Sequence, residues 1–172
     1  RFWQIVGVAT LSELARQHTS LDRSAIAHLQ RLVGEWGILA DFCFADVLLY
    51  VPSGNDWLVL GHVRPVTSQT IYAQDWVGTV ANRTELAVLG EAYSTGTICE
   101  GQVTVEGLSD PASMTAVPVR AGGRVIGVLT REWSSSVGRQ PGELERRYLE
   151  IFGRFAQMIA SGRFPFRDQL RT

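Results

Sequence analysis

The sequence predicts an α+β layer sandwich, and three stretches predict it. Two are antiparallel hairpins. "FADVLLYVP" and "DWLVLGHV" (Phe44 to Pro52, Asp56 to Val63) are joined by Ser53-Gly54-Asn55, and "VPVRAGGRVIGVLTREW" (Val117 to Trp133) turns at Gly122-Gly123. The third is a helical stripe of Leu144, Tyr148, Ile151, Phe152, Phe155 and Ile159, with Arg146, Arg147, Glu150 and Arg154 opposite. Strands arriving in hairpins, flanked by terminal helices, exclude a doubly wound parallel sheet.

The other elements follow in chain order. Thr10 and Glu13 form a capping box that opens a first helix, "TLSELARQHT". Ala25, Ile26, Leu29, Leu32, Val33 and Trp36 recur at helical spacing behind a cap at Asp22 or Ser24. After the first hairpin, "TIYA" predicts a short strand. "TELAVLGEAYSTG" predicts a helix capped at Thr84 and closed by Gly96. Gln102 to Glu106 alternate as a strand, Ser109-Asp110-Pro111 is a loop, and Gly162 ends the last helix.

Composition bounds the function. With 172 residues, 45% of them apolar, the chain suits one well-buried core. Sixteen basic and 17 acidic residues leave a net charge of −1, which offers no footprint for nucleic acid or an anionic membrane. No apolar run reaches the roughly 18 residues that span a bilayer. Residues 1–9 are expected to be an N-terminal extension. Cys43, between Phe42 and Phe44, is expected to be a small buried hydrophobe in a reduced, cytoplasmic protein.

Chemical motifs are scarce. No G-x-x-x-x-G-K-[ST], C-x-x-C or H-E-x-x-H occurs, so neither a phosphate loop nor a metal site is expected, and the residues name no cofactor. His18, His28 and His62 fall on different elements and are expected on the surface or on helix faces. No catalytic residue is assigned. From Val66 to Gly101 the chain alternates apolar anchors with Thr, Ser and Gly, the pattern of loops over a rigid sheet, where ligand contacts concentrate. A pocket is therefore expected on the sheet face away from the terminal helices, roofed by Ile71 to Gly101. Trp76, Arg83, Tyr93 and Glu100 are expected to line it, Arg64 and Met114 to close its sides, and Val119 and Val128 to form its floor.

Four stretches carry a family resemblance: "HTSLDRSAIAHLQRLVGEWGILADFCFADVLLYVP" (His18 to Pro52), "DWVGTV" (Asp75 to Val80), "VPVRAGGRVIGVLTR" (Val117 to Arg131) and "ASGRFP" (Ala160 to Pro165). "VGEW…LADFCFAD" (Val33 to Asp46) is the most specific of them; the hairpin is shared by many such domains. From Thr10 onward the chain resembles the N-terminal GAF domain of bacterial cytosolic sensor histidine kinases, in which a PAS domain and an HWE-like kinase core follow. The resemblance implies an antiparallel sheet of about six strands, terminal helices on one face and a loop- and helix-roofed pocket on the other. It places the GAF-like domain at residues 10–166 and the start of a linker at 167–172.

It further implies a regulatory sensor that passes ligand or partner binding through its terminal helices to a kinase core, which in turn acts on a cognate response regulator. No H-x-x-[KR]-N-N phosphoacceptor motif is present, because "LQRLVGE" follows His28, so this stretch by itself is expected not to transfer phosphate. Homodimerisation is expected through the Tyr148–Ile159 stripe together with Leu32 and Trp36. Two alternatives stand: a ligand-free dimerisation module, or a reductase of free methionine sulfoxide, as some GAF domains are. The second needs a nucleophilic and a resolving thiol side by side, and only Cys43 and Cys99 are available.

Overall fold

The computed structural model describes residues 10–65, 69–137 and 142–166. The expected extension at 1–9 and linker at 167–172 lie outside the described residues. Among the described residues five antiparallel strands form one sheet: β1 (Asp46–Ser53), β2 (Asp56–Val63), β3 (Cys99–Val103), β4 (Ala112–Ala121) and β5 (Arg124–Trp133), in the order β2-β1-β5-β4-β3. The helices are α1 (Leu11–His18), α2 (Arg23–Glu35), α3 (Gly37–Cys43), α4 (Arg83–Thr95) and α5 (Glu143–Ala160).

Five strands replace the expected six or so because "TIYA" is not one. Thr70 to Ala73 cross the sheet face as a strap, held by side chains rather than by a backbone ladder. The strand expected over Gln102 to Glu106 begins earlier, at Cys99, because its partner β4 runs back to Ala112 and pairs Cys99 with Ala116. Helix α3 is unforeseen: it follows α2 directly, and the two meet at Trp36.

Local chemistry sets the helix ends. Thr10 accepts from the Glu13 amide and Glu13 returns the bond, the capping box read from the sequence. Asp22 caps α2 through the Ala25 amide at 2.8 Å. At α4 the cap is Asn82, not Thr84, and Asn82 with Glu85 makes a second capping box. Helix α5 stops at Ala160, and Gly162 follows at φ +78°.

Strand alternation divides the core into two layers. On one face Val47, Leu49 and Val51 of β1 and Val117 and Val119 of β4 meet α1, α2, α3 and α5. On the other, Leu48, Tyr50, Met114, Ala116 and Val128 meet the strap and α4. The terminal helices therefore share one face, as expected, and the irregular segment with its helix roofs the other. Val119 was expected on the roofed side with Val128, but it points to the helices. The cause is parity: Val119 shares the face of Val117, two residues earlier. Two bulges leave Leu60 and Ile126 without a ladder partner, and both side chains enter the helix-side core.

Leu32 and Trp36, expected at a dimer interface, are buried within the chain. Trp36 lies against β2 at Gly61, where an added Cβ would come within 2.6 Å of the indole. Leu29, Leu32 and Leu39 are fully buried beside it, each contributing about 1.5–3 kcal/mol by leaving water. Among the described residues no helix is long and apolar enough to cross a membrane.

Candidate functional site

Beneath the strap lies a row of polar side chains in an otherwise apolar layer. Asp46 on β1 and Glu132 on β5 are directly paired across the ladder, and both are fully buried. Each carboxylate is saturated by donors. Asp46 Oδ1 accepts from the Thr70 hydroxyl at 2.6 Å and lies 2.8 Å from His62 Nε2, while Oδ2 accepts from the Ile71 amide at 2.8 Å. Glu132 accepts from Thr130 Oγ1 at 2.6 Å, from Tyr50 at 3.5 Å and, most closely, from the Tyr72 phenol.

The two carboxylates thus latch the strap to the sheet at consecutive residues, Thr70, Ile71 and Tyr72. His62 extends the latch: its Nδ1 accepts from the Trp76 amide at 3.2 Å, a network that places the proton on Nε2, facing Asp46. Tyr72 packs edge-on to His62, with ring centres 5.1 Å apart, and against Trp76 at 5.4 Å. The strap then runs beside β2, where Gly78, Thr79 and Ala81 exchange backbone hydrogen bonds with Trp57 and Val59.

Enclosure tunes these groups. Burial pushes the Glu132 carboxyl up to about 7, against the pull of its hydrogen bonds from Thr130 and Tyr72. Burial likewise raises Glu85, at the first turn of α4, to about 7. Tyr50 and Tyr72 are raised by burial and by the nearby Glu132 charge, so both phenols stay protonated donors. Every carboxylate oxygen of Asp46 and Glu132 already accepts a bond from within the fold, which suits a latch and not a general base.

The six expected pocket residues are not gathered around one opening. Met114 is fully buried on β4, opposite Glu132 in the ladder. Trp76 is half-buried on the strap. Arg64 and Asp75, with His62, Ala73 and Gln74, line an open cleft of about 580 Å³ at the strap's edge. Arg83 and Glu100 are exposed on α4 and β3, and Tyr93 is turned outward with its ring edge on Trp57 at 5.2 Å. The space beneath the roof is taken by Ile71, Tyr72, Leu89 and Ala92, packed on Tyr50, Met114 and Val128.

Sequence reasoning missed Asp46, His62, Thr70, Tyr72, Thr130, Glu132 and Glu85. His62, expected on the surface, has a side chain only 1% exposed. A signal existed in strand parity: Val128, Thr130 and Glu132 share one face of β5, so an inward valine implies an inward glutamate.

The two cysteines lie on opposite sides of the sheet. Cys43 is buried among the terminal helices, where burial pushes its thiol up to about 11. Cys99 packs against the roofed layer. A nucleophile and its resolving thiol cannot meet across a sheet. Cys99→Ser is accordingly expected to leave the melting temperature within about 2 °C. Methionine sulfoxide reduction by the parent, lost in the variant, would contradict this.

The family model described as "Histidine kinase PdtaS, GAF domain" matches residues 11–152. The sensor histidine kinase PdtaS of Mycolicibacterium smegmatis is 36% identical over 166 residues, covering 92% of this chain and 32% of the relative. PdtaS of Mycobacterium tuberculosis is 36% identical over 163 residues, with the same coverage. The chain thus spans about a third of the length of these curated relatives. A solved structure described as the sensor region of a sensor histidine kinase superposes with a TM-score of 0.74 at 32% identity, covering 92% of this chain and 56% of that one. An IclR homolog complexed with 4-hydroxybenzoate, from Microbacterium hydrocarbonoxydans, shares the fold alone, at TM-score 0.51 and 16% identity over 80% of this chain and 68% of its own. The two-layered sheet, the roofed face and the match over residues 11–152 agree: the chain belongs to the GAF domain family of the sensor histidine kinase PdtaS.

Proposed function

We propose that the domain is the input module of a cytoplasmic sensor histidine kinase, with the strap as its receiving surface and the terminal helices as its output. One observation carries this reading: the strap and α5 press on opposite faces of a single sheet, and α3, which packs on α5, is bonded to the strand that receives the strap. Glu132 receives the strap on one face of β5. Its neighbour Arg131, on the other face, donates to the Cys43 carbonyl at the end of α3 and stacks on Trp133. A movement of the strap is therefore felt by α3 and, through it, by α5.

The signal is a small molecule or partner segment that displaces Tyr72. It would meet Glu132, Tyr50 and Met114 beneath, and Trp76 and Arg64 at the mouth. Arg83 and Tyr93 face outward on the roof and serve a bulkier partner, whereas Glu100 has the parity of Thr115 and Arg131 and stands on the other face of the sheet. Only a ligand that favours the displaced strap shifts the kinase. The module works as a homodimer through its terminal helices. Leu32 and Trp36 are spent inside the monomer, so the contact falls to exposed Ile38, Leu144 and Phe166. PAS and kinase domains follow, and a cognate response regulator receives the phosphoryl group.

The test is basal autophosphorylation of the full-length kinase carrying Tyr72→Phe, which removes the bond to Glu132 and keeps the ring. A severalfold change in rate, with strap amides exchanging faster, supports the reading. A loosened strap with unchanged kinase activity refutes it.

A further inference from the structure

Arg120 stands at the end of β4, beside the turn into β5, and its guanidinium reaches three chain segments. Nε donates to the carbonyl of Ala160, the last residue of α5, at 2.9 Å. Nη2 donates to the carbonyl of Gly96, which closes α4, at 3.3 Å. Nη1 reaches the Gly123 carbonyl in the hairpin turn at 3.5 Å. Helices α4 and α5 cover opposite faces of the sheet, so this one side chain bridges them around its end.

Both helix ends carry carbonyls without helical partners and the negative pole of a helix dipole, which a fixed cation satisfies. The surroundings are shaped to it. Gly96 sits at φ +66°, and a Cβ there would stand 2.4 Å from Nη2. Gly162 sits at φ +78°, and a Cβ there would stand 3.3 Å from the Arg120 carbonyl oxygen. A lysine, a single point charge, has no fork with which to hold two carbonyls on separate helices.

We propose that Arg120 is the positioning residue that couples the roof to the output helix. Helix α4 forms part of the roof, so displacement of the roof draws the Gly96 carbonyl away from the guanidinium. The same guanidinium then loosens its hold on Ala160 and the end of α5. The coupling is reciprocal, so freeing α5 also loosens α4. That α5 is the output rests on the function proposed above; the bridge itself does not.

Amide hydrogen exchange on this chain tests it. Asn82→Ala removes the cap of α4, and Thr10→Ala, the equivalent change on α1, controls for general loss of stability. With Arg120 present, Asn82→Ala is expected to accelerate exchange at Ser161 to Phe164, whose amides bond Gln157, Met158 and Ile159, beyond the effect of Thr10→Ala. In Arg120→Gln those amides are expected to exchange about tenfold faster from the start, the weight of a charge-assisted bond, and to lose the response to Asn82→Ala. Arg120→Lys keeps the charge and serves if the glutamine variant fails to fold; it is expected to lose the response as well. An equal response to Asn82→Ala with and without Arg120, or no response in the parent, overturns the proposal. A verified bridge whose loss leaves the full-length kinase unaltered refutes the output reading instead.

Discussion

Asp46→Ala is expected to cost about 3–5 kcal/mol of stability and to release the strap before the sheet opens. The carboxylate holds the Thr70 hydroxyl, the Ile71 amide and His62 together in a dry layer. Its removal leaves the Ile71 amide and the His62 N–H buried without an acceptor, and the loss of that network outweighs the small volume vacated by the carboxylate. Asp46→Asn keeps one acceptor oxygen but turns an NH2 toward donors, so an intermediate loss is expected. Urea melts give the size of the effect. Limited proteolysis, with early cleavage between residues 69 and 76 in the alanine variant only, gives its place. A variant within about 1 kcal/mol of the parent would mean that the strap is held by apolar packing alone.

The second large effect is a fall in stability as pH rises from about 5 to 8. Glu132 moves from an ordinary 4.5 to about 7 on folding because burial disfavours its charge, and Glu85 moves likewise. A carboxyl raised in this way binds its proton more tightly in the folded chain. Its contribution is complete below about 4.5 and is lost as pH climbs through 7. For Glu132 the loss is on the order of 3 kcal/mol. Glu132→Gln mimics the protonated state, since the Tyr50, Tyr72 and Thr130 hydroxyls can each turn to meet an amide. It should match the parent near pH 5 and exceed it at pH 8. Glu85→Gln keeps the capping bond to Asn82 and should flatten the remaining slope. A parent whose melting temperature is level from pH 5 to 8 would show that water reaches both carboxylates.

The architecture was legible wherever a local signal and the tertiary fold agree. Thr10 with Glu13, the Ser53-Gly54-Asn55 and Gly122-Gly123 turns and the Phe152–Ile159 stripe all speak within a few residues of themselves. Helix α3 escaped because seven residues between Trp36 and a hairpin hold too few turns to display a period. The Asn82 cap was overlooked although Asn-x-x-Glu is as good a box as the one at Thr10. The latch was hidden for a different reason. A sheet covered on both faces makes every strand position look alike, and a carboxylate at a strand end reads as solvated until its partner is known. Asp46 and Glu132 lie 86 positions apart in the chain, and only their pairing in the ladder brings them to one place.

The strap also closes a border. Strand β2 is the outermost strand on its side of the sheet, and its free backbone groups at Trp57 and Val59 are taken up by Gly78, Thr79 and Ala81. An uncovered outer strand is a template on which another chain can polymerise. On the function proposed above, opening has a safe range: the segment from Thr70 to Trp76 would lift to admit a signal while the stretch at Gly78 to Ala81 stays seated as a hem. A stimulus strong enough to unpick the hem would turn a sensor into a seed for aggregation.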